Sequence, residues 1–231
     1  MNESLKERFF AETAKIKSMS GKVRREYIWD YYKVHIIATV ALLLMTGSIL
    51  NDTVINPPPR PVLTIAWLAG WEFEETLNAL SQSLYPYLVY DERRETIFVP
   101  TFFMGSGDPQ HDMAMMQRFQ AMLAAADLDV VIGTLEQPQS EDGFISLGGL
   151  APAWFFLDIR RFLDIAGVEA NYLLYDTDEE GNTIAFAASL EGNPLFERLG
   201  ISSSGRYIAI TANTHRDGAI LETLRVLWAE N

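Results

Sequence analysis

The residues of this chain with chemistry to offer are a few tryptophans, scattered carboxylates and one histidine set among acids. Trp67 and Trp71 stand at the end of an apolar run, 62–69, and Trp154 opens an aromatic cluster with Phe155 and Phe156. Large rings beside a hydroxyl such as that of Ser106 are what a small-molecule cleft uses to stack and orient a solute. Trp67, Trp71, Ser106 and Trp154 are therefore the candidate ligand contacts, with core or rim packing as the competing reading of Trp67 and Trp71. Gly105, Ser106, Gly107 and Asp108 form a glycine-bearing loop before a helix, where free N–H groups bind anions. Asp108 already occupies the cap there and repels anions, which favours a plain turn.

Two acidic groupings invite a metal and do not complete a site. Asp108, His111 and Asp112 crowd one helical turn, so their side chains do not converge, and they read as a solvated helix start. Asp176, Asp178 and Glu180 alternate before Gly181 as in the first half of a calcium loop. The position that supplies a bidentate carboxylate is Ala187, so 176–181 reads as an acidic hairpin turn, with weak calcium binding as the alternative. No metal or cofactor is expected. Nor is catalysis: the chain has no cysteine, no G-x-S-x-G, no H-E-x-x-H, no P-loop and no dinucleotide fingerprint. Acid pairs such as Glu74 with Glu75 read as solvated faces. An extracytoplasmic hydrolase would need a convergent acid–base pair, and none is evident.

The elements that must position these residues follow from hydropathy and charge. Residues 34–50 form an uncharged apolar run, preceded by Lys33 and a cluster of Tyr27, Trp29, Tyr31 and Tyr32, and followed by Asn51 and Asp52. A bilayer span needs about 20 apolar residues, and tyrosine and tryptophan favour the headgroup layer, so 34–52 is expected to cross a membrane. All five lysines precede this run, together with Arg8, Arg24 and Arg25, whereas the residues after it hold ten arginines, 26 acids and no lysine. Basic residues flank a span on its cytoplasmic side. The tail, 1–33, is therefore expected inside and the large domain outside. An uncleaved anchor is favoured over a signal peptide, because the charged stretch before the run is long and contains acids. The acidic outer part argues against nucleic acid and against docking on anionic lipid.

Residues 1–20 read as an amphipathic helix ending at Ser20 and Gly21. Prolines 57, 58, 59 and 61 predict a stiff stem over 53–61. Residues 62–231 then alternate between strand and helix patterns. Strands are expected at 62–69, 95–103 and 128–133, with helices between them, one of which turns Met113, Met116, Phe119, Leu123 and Ala126 inward. This β-α-β-α-β order implies a three-layer α/β domain with a mostly parallel sheet. Beyond it the pattern predicts a helix over 151–167, a hairpin across the acidic turn, a helical turn at 194–199, a strand at 206–213 and a last helix. Thr214 with Asp217 would cap that helix.

Three stretches carry a family resemblance: the opening through TIFVPTFF, the segment FQAMLAAADLDVVIGTLE, and the closing AFAASLEGNPLFERLGISSSGRYIAITANTHRDGAILETLRVLW. Together they resemble the extracytoplasmic solute-binding, or periplasmic-binding-protein-like, fold in reduced form. With the anchor, IWDYYKVHII, the layout looks like small bacterial single-pass membrane proteins of unknown function that share this domain. The resemblance implies a domain that binds a small solute or a protein partner. The alternative is an accessory or sensor subunit of a membrane complex, transporter or signalling, with no solute of its own.

Overall fold

The computed structural model describes residues 5–68, 70, 72, 74–103, 107–136, 146–147, 151–152, 155–177 and 181–229. The chain divides into two compact units, Met1–Pro58 and Pro59–Asn231.

The first unit is helical. α1 spans Leu5–Ser18 and α2 spans Gly21–Leu50. Lys15 Nζ donates to the Tyr27 hydroxyl at 3.0 Å, and Arg24 Nη2 donates to the Lys17 carbonyl at 2.9 Å, so the corner between the helices is held from both sides. The helix is longer than the 34–52 expected to cross a membrane. The aromatic and basic residues from Gly21 onward are helical too, and a π-helical turn, Asn51–Ile55, continues the helix past Leu50. In that turn the Asn56 N–H bonds the Asn51 carbonyl at 2.7 Å, the five-residue step of a π-helix. Gly21–Ile55 is long and apolar enough to cross a membrane. The 30 residues of α2 extend about 45 Å at 1.5 Å each. That exceeds a hydrocarbon core of about 30 Å, which leaves room for the charged first turns beyond it.

The stem is shorter than 53–61. Residues 51–55 are helical, and Arg60 and Pro61 already belong to β1, Arg60–Leu68. Pro61 is tolerated because it stands near the start of the strand, where the register shifts between Pro61 and Leu63.

In the second unit β1 is followed by α3 (Glu74–Leu88), β2 (Glu95–Phe98), α4 (Pro109–Ala124) and β3 (Val130–Glu136). A small hairpin, β4 (Ser146–Leu147) and β5 (Ala151–Pro152), precedes α5 (Ile159–Ala166). Then come β6 (Leu173–Thr177), β7 (Thr183–Ser189), α6 (Pro194–Leu199), β8 (Arg206–Ile210) and α7 (Asp217–Leu227). The main sheet has the order β2-β1-β3-β8-β7-β6. β1 pairs parallel with β2 and β3, while β8, β7 and β6 join by antiparallel pairings. The class is thus α/β with a mixed sheet in which four of six strands share one direction. The parallel half is the expected β-α-β-α-β unit, and the β6–β7 pair is the expected hairpin.

Alternation along the strands sorts the core into two layers. Leu63, Ile65 and Trp67 pack with α3, α5, α6 and α7, whereas Ala66 and Leu68 pack with Phe119, Leu123, Phe156 and Phe186. The second layer is thinner than expected. Only Phe119 and Leu123 of α4 are buried, and Met113 and Met116 are exposed. The stretch predicted as one helix over 151–167 is helical only at Ile159–Ala166. Asp158 stops it on one side by accepting the Arg160 N–H, and Gly167 stops it on the other in the left-handed conformation that glycine adopts without strain. Before it the Leu157 N–H bonds the Ile210 carbonyl at 2.9 Å, so Phe156 lies across the end of β8 and not on a helix. The Arg160 guanidinium, hydrogen-bonded to Asp158, holds that carboxyl below its ordinary value.

A fully buried carboxylate joins the amino-end edge of this sheet. Asp129, just before β3, accepts the Thr64 N–H at 2.8 Å, the Thr214 hydroxyl at 2.7 Å and Arg216 Nη1 at 2.7 Å. Thr214 does not stand at the cap of α7, which begins at Asp217 with Arg216 in the capping position. Its hydroxyl points at Asp129 and accepts the Arg216 N–H at 3.2 Å. Replacing Asp129 leaves a buried N–H and a guanidinium without their acceptor, which costs about 3–5 kcal/mol when one partner of a buried ion pair is lost. Asp129→Ala is expected to lower the unfolding free energy by that amount in urea titration of the detergent-solubilised chain. Asp129→Asn, which keeps one acceptor, should cost about half as much.

Candidate functional site

β1 lies between β2 and β3, and its carboxyl end, next to that of β2, borders the outer edge of the sheet, on the side of the sheet where open α/β sheets bind ligands. Three features of the sequence build a cleft there. Glycine at 70 lets the chain turn after β1 with φ at +81°. α3 then runs back along the sheet with Leu77, Leu80, Leu84 and Leu88 inward, which leaves Glu74 and Asn78 beside the edge of the sheet. The chain after β2 keeps hold of β1: Trp67 N–H donates to the Pro100 carbonyl and Phe102 N–H to the Trp67 carbonyl, both at 2.9 Å. The result is a cavity of about 560 Å³ lined by Glu74, Leu77, Asn78 and Ser81 of α3, by residues 97–101 and Phe103, and by Arg118 of α4. Its floor is apolar and its rim carries both signs of charge.

A buried ion pair closes the inner end. Arg206, the first residue of β8, is 8% exposed and donates from Nη2 to Glu72 Oε2 at 3.0 Å. Glu72 also lines the cavity. The guanidinium lies 4.8 Å from the centre of the Trp67 ring, a cation–π contact that desolvation strengthens to about 2 kcal/mol. Because β8 runs antiparallel to β3, Arg206 pairs with Thr134 and reaches the carboxyl-end edge although it begins its strand.

The sequence-derived ligand contacts are only partly visible. Trp67 has no exposed surface; it packs on Phe196 with ring centres 6.1 Å apart and lies under Arg206. Fully buried, it presents no face on which a solute could stack. Trp71, Ser106 and Trp154 lie outside the described residues, as do the glycine at 105 and the residues at 178–180. Asp108 caps α4 by accepting the Gln110 N–H at 2.9 Å, which is the plain-turn reading. His111 is exposed on α4, and no group of three potential metal ligands converges among the described residues. Asp176 belongs to β6 and pairs with Ile184, and Ala187 is buried in β7.

Glu72, Glu74, Asn78, Arg118 and Arg206 are the residues that sequence reasoning missed. Glu74 and Asn78 had a signal, being the polar positions between the buried leucines of α3. Arg206 had none, since its place depends on β8 inserting between β3 and β7.

No protein-family model, curated protein or solved structure matches this chain. The solute-binding-like resemblance therefore rests on the stretches that carry it.

Breaking the Glu72–Arg206 pair from one side strands a buried guanidinium. Glu72→Ala is expected to destabilise the protein by about 3 kcal/mol, whereas Glu72→Gln combined with Arg206→Met recovers most of that loss. A double-mutant cycle in urea measures the coupling, and a cost below about 0.5 kcal/mol for Glu72→Ala would show that solvent screens the pair.

Proposed function

We propose that this chain is a non-catalytic, single-pass membrane-anchored binding module. In this reading residues 34–52 cross the bilayer, residues 1–33 lie in the cytoplasm, and the α/β unit stands outside as a reduced solute-binding-like domain. The ligand, a small solute or a segment of a protein partner, occupies the cleft between α3 and β2. The observation that carries the reading is the cleft itself, about 560 Å³ at the carboxyl ends of parallel strands, with an apolar floor and a rim of separate charged and amide groups. The parallel order β2-β1-β3 supports the solute-binding-like assignment. The orientation is supported by the lysines, all of which precede the apolar run.

The alternative, an accessory or sensor subunit without a solute of its own, is supported by α2. It buries none of its residues, so lipid and a second helix can contact its apolar faces alike.

Two measurements test these readings. The full chain in detergent, screened by thermal shift against amino acids, sugars, peptides, nucleosides and divalent cations, is expected to be stabilised by one class. A ligand at about 100 times its dissociation constant adds about 2.7 kcal/mol. Asn78→Trp, which fills the cleft from an exposed position, should abolish that shift. A shift that survives Asn78→Trp puts the ligand elsewhere, and no shift in any class turns attention to the subunit reading. For orientation, the absence of cysteine makes Ser202→Cys and Ser18→Cys clean reporters. An impermeant maleimide should label Ser202→Cys in intact cells and Ser18→Cys only after permeabilisation, and the reverse pattern overturns the topology.

A further inference from the structure

β2 is an edge strand, and the hydrogen bonds next to it show which backbone groups remain free. The Pro100 carbonyl and the Phe102 N–H both bond Trp67 of β1. In a parallel strand the N–H and C=O of one residue point the same way, and those of its neighbours point the opposite way. The N–H and C=O of Val99 and Thr101 therefore face away from β1, toward the cleft they line. No strand pairs with β2 on that side among the described residues.

Proline usually blunts an edge by removing a donor. Here the donor that Pro100 lacks would have faced β1, so the outer row of donors is left intact. The outer row also has walls. Glu74, Leu77 and Asn78 of α3 stand on one side, and Arg118 of α4, whose guanidinium lies 5.4 Å from the Phe102 ring centre, stands on the other. Phe98, at the near end, is 41% exposed. An exposed edge with side pockets is the arrangement by which domains capture an extended peptide as an added strand.

We propose that the β2 edge, walled by α3 and Arg118, docks an extended peptide segment that adds to the sheet as a further strand, with a basic side chain facing Glu74 and an acidic one at the adjacent position facing Arg118. The charge rule follows from the pleat. Successive side chains of a strand point to opposite faces, so neighbours in the peptide meet opposite walls. The proposal rests on the binding-module reading and names the class of ligand.

The test uses the full chain in detergent and three blocked hexapeptides. In Thr-Val-Lys-Glu-Val-Thr the lysine and glutamate are adjacent and face opposite walls. In Thr-Lys-Val-Glu-Val-Thr they share a face. The third peptide has the first sequence with alternate amides N-methylated, which removes the donors needed for strand pairing. By calorimetry or fluorescence anisotropy, the first peptide should bind saturably and the other two about tenfold or more weakly. Thr101→Pro, which deletes an outward N–H and no bond to β1, should weaken the first peptide by about tenfold, and Thr101→Val should not. Arg118→Glu should erase the preference between the first two peptides.

Equal binding of the N-methylated peptide overturns strand addition, as does no saturable binding up to about 1 mM. Should Thr101→Pro fail to fold, the N-methylated peptide alone decides. A solute-induced thermal shift without peptide binding would leave the binding module standing and remove this inference. Absence of both removes both.

Discussion

A single carboxylate, sealed from water, holds the central strands in register. Asp129 receives a backbone N–H from β1, a hydroxyl from the segment after β8 and a guanidinium from the start of α7. Its own backbone joins the same strands, donating to the Thr64 carbonyl and accepting from the Thr211 N–H. A buried charge is tolerated only when it is paired and its lone pairs are filled, so any slip of β1, β3 or β8 would strand it. The penalty for the wrong arrangement does more here than the attraction in the right one. It makes one pairing of parallel and antiparallel strands unique where apolar strands alone would allow several.

The opposite end of these strands repeats the device with a different outcome. Arg206 ties β8 to the loop after β1 through Glu72 and covers Trp67. With both ends of the centre fixed, variation is left to the periphery: the edge at β2, the helix α3 beside it and the thinly buried α4. A cleft forms most readily where a packed floor meets a border that is not already paired. The cleft is found there, with Glu72 shared between the ion pair and the lining.

What could be read from the sequence was local. Asp108 before Pro109 is a cap whose chemistry acts within one helical turn, and it marks the start of α4 in the structure. The β6–β7 hairpin was legible because polar residues separate two β-prone runs. What failed was non-local. Met113 and Met116 fit a helical stripe, but a stripe is buried only if a partner surface extends that far, and the layer over this side of the sheet is thin. For Trp67 the sequence offered a ligand contact and core packing alike, and it lies in the core. Its burial depends on α6 and on an arginine 139 positions later. Thr214 resembled a cap, but the helix begins at Asp217, and the Thr214 hydroxyl donates to the Asp129 carboxylate from just before β3.

At a few positions of the α/β unit the structure shows why arginine and not lysine is used. Lysine is a compact, strongly hydrated charge, whereas a guanidinium is planar, weakly hydrated and able to bond at its edge while stacking on its face. The structure uses both properties. Arg206 bonds Glu72 and lies over Trp67, and Arg160 bonds Asp158 and lies over Tyr175. Arg216 reaches the buried Asp129 from a side chain still one third exposed. Lysine in these places would keep the charge but lose the stacking, and it would pay more to leave water. Arg118 follows half of this pattern. It stacks over Phe102 yet bonds no carboxylate among the described residues, and it stands on the cleft wall. The other stacked guanidiniums, of Arg160 and Arg206, are each paired with an acid of the same chain, so Arg118 is the stacked arginine that has no such partner among the described residues.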